Sequence, residues 1–170
     1  MASVAIGAFA FGLYGLRFEG ASPILQVAFG AWLATLVVGF AIDLDQRLLP
    51  DEFTIPVIPI AFLLAATGLN PLAAPLETAI IAAVAIPIAL YVFSIPFGEG
   101  AFGLGDVKLL AGVGLMLGFT RAFSGLLAGL IASGVVLVLL LATRRISRQT
   151  FVPFGPFLIF GALWGLLVQP

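Results

Sequence analysis

Long apolar runs fill this sequence, and charged residues, prolines and glycines separate one run from the next. Hydrophobic residues make up 62% of the 170 positions and charged residues only 9%, with a mean hydropathy of +1.27. Soluble domains carry about 25% charged residues, so a core of this size could not remove so much apolar surface from water, and lipid is the expected solvent. The sequence therefore predicts an all-α, polytopic transmembrane helix bundle, with residues 1–170 forming a single domain.

The apolar runs predict about six or seven membrane spans. Their approximate limits are residues 2–17, 23–42, 53–69, 74–97, 107–120, 122–143 and 152–169. The run at 107–120 is the shortest and contains Lys108, so it is expected to pack inside the bundle without crossing fully. Glycines four residues apart predict close helix contacts within the chain. These pairs are Gly114/Gly118, Gly125/Gly129 and Gly161/Gly165.

The basic residues predict the orientation, because cytoplasmic loops of membrane proteins carry an excess of lysine and arginine. If the chain alternates through seven spans, Arg17 and Arg121 fall on one side. The other side receives Arg47, Lys108, Arg144, Arg145 and Arg148. The second side is expected to be cytoplasmic, together with the N-terminus.

Several kinds of chemistry are excluded by composition. The sequence has no cysteine and no histidine, which removes disulfides, thiol nucleophiles, thiolate zinc sites and imidazole bases. A net charge of −1 without a basic block gives no reason to expect nucleic acid as a partner. Any proton transfer must fall to aspartate, glutamate, lysine or tyrosine, and we expect neither a metal nor a cofactor.

The first of two acidic patches covers residues 41–51. A carboxylate at the end of an apolar run is costly and is therefore usually functional. If the helix continues past Asp43, the turn of about 100° per residue points Asp43 and Asp45 to nearly opposite sides. Asp43 is the deeper of the two. Arg47, four residues later, is expected on the same face as Asp43, within reach of a salt bridge or a substrate carbonyl.

The second patch is the string Gly103-Leu104-Gly105-Asp106-Val107-Lys108. Glycine permits close backbone approach, which suits a loop that brings a carboxylate against another helix. Because Asp106 precedes an apolar run, it is expected at a helix N-terminus.

Asp43 and Asp106 are a candidate catalytic pair. Two carboxylates a few Å apart tend to share one proton: the ionised one can activate water while the protonated one donates to a scissile carbonyl oxygen. Other interpretations stay open, because buried carboxylates also serve proton-coupled transporters, and a non-catalytic membrane scaffold would need neither activity. The remaining acidic residues of the first patch, Asp45, Asp51 and Glu52, are expected to be helix caps or salt-bridge partners.

The two acidic motifs, in this order, resemble those of the type IV prepilin peptidase family, which are GxGD-type aspartyl proteases of the bacterial inner membrane. The segment from Pro153 to Phe157 also resembles the family's C-terminal Pro-Phe-Gly-Pro motif, and the likeness extends over residues 25–169. Without the resemblance, this segment is either a break that starts the last helix or a kink that shapes a substrate groove.

The resemblance implies that Asp43 and Asp106 are the catalytic residues. It implies cleavage of the basic leader from type IV prepilins or pseudopilins, on the cytoplasmic side of the membrane. The expected partners are a prepilin substrate helix and the lipid bilayer. Four further residues are candidates for substrate contacts: Arg47, Gly103, Gly105 and Lys108.

One departure from the family concerns methylation. Many prepilin peptidases also methylate the new pilin N-terminus, using an N-terminal cytoplasmic region with paired cysteines. This sequence has no cysteine and only a short link, residues 18–22, between its first two runs. The peptidase core alone is therefore expected, without a need for S-adenosylmethionine.

Overall fold

The computed structural model describes residues 2–46, 49–70, 72, 75–97, 103–145 and 154–168. Within these ranges the chain forms helices and turns but no strand. The helices are α1 (Ala2–Arg17), α2 (Pro23–Gln46), α3 (Asp51–Thr54), α4 (Val57–Ala66), α5 (Leu76–Ser94), α6 (Leu104–Ala142) and α7 (Gly155–Leu167). A 3-10 turn, Ile95–Phe97, extends α5.

The length and composition of α2, α5 and α6 are sufficient to cross a membrane. Their outward faces are apolar, as expected for helices that lipid surrounds: Val27, Phe93 and Ile131 are among the most exposed side chains. The all-α membrane bundle expected from the sequence is thus confirmed.

The predicted run at 53–69 is divided in the structure. The helix α3 ends at Thr54, and α4 begins at Val57 after Pro56. Proline has no N–H to continue a helical ladder, which accounts for two short helices in place of one span.

The predicted boundary between the runs at 107–120 and 122–143 lies slightly earlier in the structure. The helical element α6 is interrupted at Gly118, whose φ of 70° and ψ of 175° are outside the helical region. Only glycine adopts this conformation at little cost. The amide of Asn70, itself buried, donates a hydrogen bond of 2.8 Å to the backbone carbonyl of Met116 just before the break.

The first half of α6 packs inside the bundle, as predicted. Residues 112–118 are all buried. Gly114 lies against the backbone of α5, since a Cβ built on Gly114 would lie 2.5 Å from the backbone nitrogen of Ala83. The two helices approach so closely that there is no room for a side chain at position 114.

The second half of α6 packs antiparallel against α7 through glycines. A Cβ on Gly125 would collide with the carbonyl oxygen of Gly161, and a Cβ on Gly161 with that of Gly125. On either side of this crossing, Gly129 packs against the backbone carbonyl of Phe157, and Gly165 packs against that of Arg121. The prediction that the glycine pairs serve helix packing within the chain is confirmed for Gly125/Gly129 and Gly161/Gly165. In the third pair, Gly114 packs against α5, whereas Gly118 forms the break in α6.

The charged residues separate toward the two ends of the bundle. Arg17, at the end of α1, and Arg121, just after the break in α6, are close enough for their charges to interact. The start of α6 lies at the other end, where Lys108 pairs with Asp51. This agrees with the side that the sequence predicted for Arg17, Arg121 and Lys108, whereas Arg47 and Arg148 lie outside the described residues.

Candidate active site

Asp43 lies in the last turn of α2 with its side chain turned into the bundle. Only 5% of its surface is exposed, whereas Asp45 is exposed. The expectation that Asp43 is the deeper of the two is therefore confirmed. The Oδ2 atom of Asp43 is buried and has no hydrogen-bond partner among the described residues. An unsatisfied buried oxygen is costly and calls for an explanation.

Asp106 lies in the first turn of α6, as predicted. Gly103 is the N-cap residue of this helix, and its backbone hydrogen-bonds the Asp106 carboxylate. This is the return bond of a capping box, in which an acidic residue at the third helical position binds the N-cap N–H. A side chain at 103 would lie near the same carboxylate, since its Cβ would be 3.6 Å from Asp106 Oδ2.

The fold brings Asp43 and Asp106 together. They come from opposite ends of different helices, yet they are close enough for the charge of Asp43 to act on Asp106. Leu49 packs between the two helices. A Cβ on Gly105 would lie 3.1 Å from the Leu49 Cβ, and a Cβ on Gly39, one turn before Asp43, would lie 3.5 Å from the Leu49 Cδ2. Gly105 therefore provides a close backbone approach as expected, but it lies inside the first turn of α6 and the approach is to Leu49, outside any helix.

A narrow cavity lies one helical turn deeper than the aspartates. Its walls include Gly39, four residues before Asp43, and Leu109, three residues after Asp106. Most of the other lining side chains are apolar. The aspartates thus lie next to a mostly apolar interior, where electrostatic interactions between carboxylates are stronger than in water.

Lys108 has a partner within the chain. Its Nζ lies 2.6 Å from Asp51 Oδ1, and the side chains of Lys108 and Asp51 are 32% and 55% exposed. The expectation that Asp51 is a salt-bridge partner is confirmed. The substrate contacts predicted for Gly103, Gly105 and Lys108 stay predictions, and Arg47 lies outside the described residues.

The sequence drew attention to the Pro153–Phe157 segment but did not indicate that Gly155 contacts Asp43. Gly155 is the first residue of α7, and a Cβ built on it would lie 2.5 Å from Asp43 Oδ2 and 2.8 Å from Asp43 Cγ. The Gly155-Pro156 pair before an apolar run is a signal for a helix start, but a local signal does not identify the partner. The interpretation of the Pro153–Phe157 segment as a helix start is confirmed from Phe154 onward, and Pro153 lies outside the described residues.

The fold and the site define an all-α membrane protein in which carboxylates from two different helices come together at one end of the bundle. The model of the Type IV leader peptidase family matches residues 27–142. The chain belongs to this family, as its resemblance indicated.

Curated relatives of the chain are also named as leader peptidases. The chain is 32% identical over 168 residues to a prepilin leader peptidase/N-methyltransferase of Dickeya chrysanthemi, covering 92% of this chain and 58% of the relative. It is 32% identical over 162 residues to a protein of the same name from Burkholderia pseudomallei (strain K96243), covering 93% and 50%. The chain thus spans about half the length of the curated relatives it matches. No solved structure matches it.

Proposed function

We propose that this chain is a membrane aspartic endopeptidase that removes the basic leader peptide from type IV prepilins or pseudopilins. The observation that carries the proposal is the meeting of Asp43 and Asp106 at one end of the bundle. The family and the names of the relatives support a prepilin as the substrate.

The proposed reaction uses the two carboxylates as a pair that shares one proton. The ionised carboxylate takes a proton from water, and the water oxygen attacks the scissile carbonyl carbon. The protonated carboxylate gives its proton to the carbonyl oxygen, so that a neutral tetrahedral intermediate forms. As the C–N bond breaks, the leaving nitrogen receives the proton taken from water, and a hydroxyl of the intermediate returns a proton to the second carboxylate.

The proposed site faces the cytoplasm at the inner membrane. The positive-inside rule supports this orientation, since five of the seven basic residues fall on the predicted side of Lys108. A prepilin would place its apolar helix in the bilayer beside the bundle and its basic leader at this end. The junction must unwind near the aspartates, because a helix protects its own peptide bonds.

The test is cleavage of a prepilin with a basic leader, a glycine and an apolar helix by the purified chain in detergent, with product masses measured. A single cut at the junction between leader and helix is expected. If a folded preparation leaves several such prepilins intact, the proposal is wrong, and proton-linked uptake into vesicles then tests the transporter alternative.

A further inference from the structure

The burial of the Asp43 carboxylate has a specific source. Its Oδ2 atom is inaccessible and unpartnered among the described residues, and Gly155 is the residue whose α-carbon approaches it so closely that a Cβ there would lie 2.5 Å from Oδ2, 2.8 Å from Cγ and 3.3 Å from Oδ1. A Cβ at 2.5 Å is closer than real side chains are found, so any residue other than glycine would force the carboxylate to move.

The backbone does not require glycine at this position. The described glycines with positive φ are Gly68 and Gly118, so Gly155 has a conformation that alanine adopts equally well. Alanine is also preferred over glycine in a helix by up to about 1 kcal/mol. The structural reason for a glycine at position 155 is therefore the lack of space for a side chain beside Asp43.

The first turn of α7 lies against the Asp43 Oδ2 atom but donates no hydrogen bond to it. Pro156 has no N–H, and the N–H groups of Phe157 and Leu158 both donate to the carbonyl of Phe154. A helix N-terminus favours a nearby negative charge through its dipole. The Asp43 Oδ2 atom thus lies against the start of α7 without a hydrogen-bond partner among the described residues.

We propose that Gly155 is a positioning residue: its bare α-carbon lets the N-terminus of α7 close against Asp43 and hold that carboxylate in one orientation beside Asp106. The effect of Gly155 on catalysis rests on the proposed function. The packing relationship between Gly155 and Asp43 is independent of the reaction.

The first test is a double-mutant cycle on stability, which needs no activity. Gly155→Ala should lower the Tm of the chain in detergent by roughly 4 °C, because the new methyl group and the carboxylate compete for the same space. In an Asp43→Ala background the carboxylate is gone, and Gly155→Ala should leave the Tm unchanged or raise it. Equal shifts in both backgrounds, or no shift in either, would overturn the proposal.

The matched control is Gly134→Ala, a helical glycine with open space around its Cβ position. It should leave the Tm of both backgrounds unchanged or slightly higher, because alanine favours the helix without meeting a neighbour.

The second test measures cleavage. Gly155→Ala should lower kcat about 100-fold, since small displacements of a reacting group cost this much, while KM stays within about twofold. The pH dependence of kcat should also change, which a purely structural role would not produce. A wild-type kcat, or a loss confined to KM, contradicts the positioning role. If wild type itself cleaves no prepilin, the proposed function fails while the stability cycle remains decisive for the contact.

Discussion

Lys108 Nζ lies 2.6 Å from Asp51 Oδ1, and this ion pair links the start of α6 to the first turn of α3. The link matters for the site because Asp106 lies two residues before Lys108, on the same turn of α6. Both partners are partly exposed, so the pair contributes about 0.2–1 kcal/mol, which is a small part of the stability of the fold.

Charge reversal separates the two roles open to Lys108. Lys108→Asp should lower cleavage a few-fold if the ion pair is its main role, and the double variant Lys108→Asp with Asp51→Lys should restore it. The measurement is kcat/KM at low and high salt, since salt weakens an exposed pair. If the double variant stays as impaired in KM as the single one, Lys108 contacts substrate directly, as the sequence predicted.

Asn70 stabilises the break in α6. Its Nδ2 donates to the Met116 carbonyl at 2.8 Å, and its Oδ1 accepts from the Leu72 N–H at 2.9 Å. Asn70→Leu leaves the buried Met116 carbonyl without this partner, which costs about 1–3 kcal/mol, and also removes the acceptor of the half-buried Leu72 N–H. The Tm in detergent should fall by several degrees.

Thr78→Ala is the control for Asn70, because Thr78 is only half-buried and its hydroxyl donates to the Pro75 carbonyl within the first turn of α5. It should leave the Tm within about 1 °C of wild type, since surface substitutions of this kind change stability by less than about 0.5 kcal/mol. A Tm for Asn70→Leu as high as that of Thr78→Ala would show that the Met116 carbonyl finds another partner.

The glycine contact between α6 and α7 at Gly125 and Gly161 fixes the position of α7, whose first residue lies against Asp43. Gly161→Ala places a methyl group against the carbonyl of Gly125, so the helices must separate. Since α7 carries Gly155 at its start, both stability and kcat should decrease. Unlike Gly155→Ala, this variant should lower the Tm equally with Asp43 present or replaced by alanine, because the crossing does not touch the carboxylate. A Tm equal to wild type contradicts the close packing.

Local patterns predicted the parts of this site that depend on neighbours in the chain. The depth of Asp43 relative to Asp45 follows from the end of an apolar run, and the position of Asp106 in a first turn follows from the apolar run after it. The contact between Gly155 and Asp43 joins residues far apart in the sequence, so no periodicity reveals it. The ion pair of Lys108 with Asp51 is of the same kind. The division of the run at 53–69 was missed because its overall hydropathy masked the effect of Pro56.

The central claim is that Asp43 and Asp106 both act in peptide-bond cleavage. The most direct measurement is the rate of prepilin cleavage by wild type, Asp43→Asn, Asp106→Asn and the control Asp45→Asn, with folding and prepilin binding checked for each. Asparagine keeps the shape of the side chain but cannot shuttle a proton, so the first two variants should lose about 10³-fold or more in rate while still binding prepilin. Asp45→Asn should cleave within about twofold of wild type, because Asp45 faces away from the pair. Cleavage at the wild-type rate by either Asp43→Asn or Asp106→Asn would contradict the account.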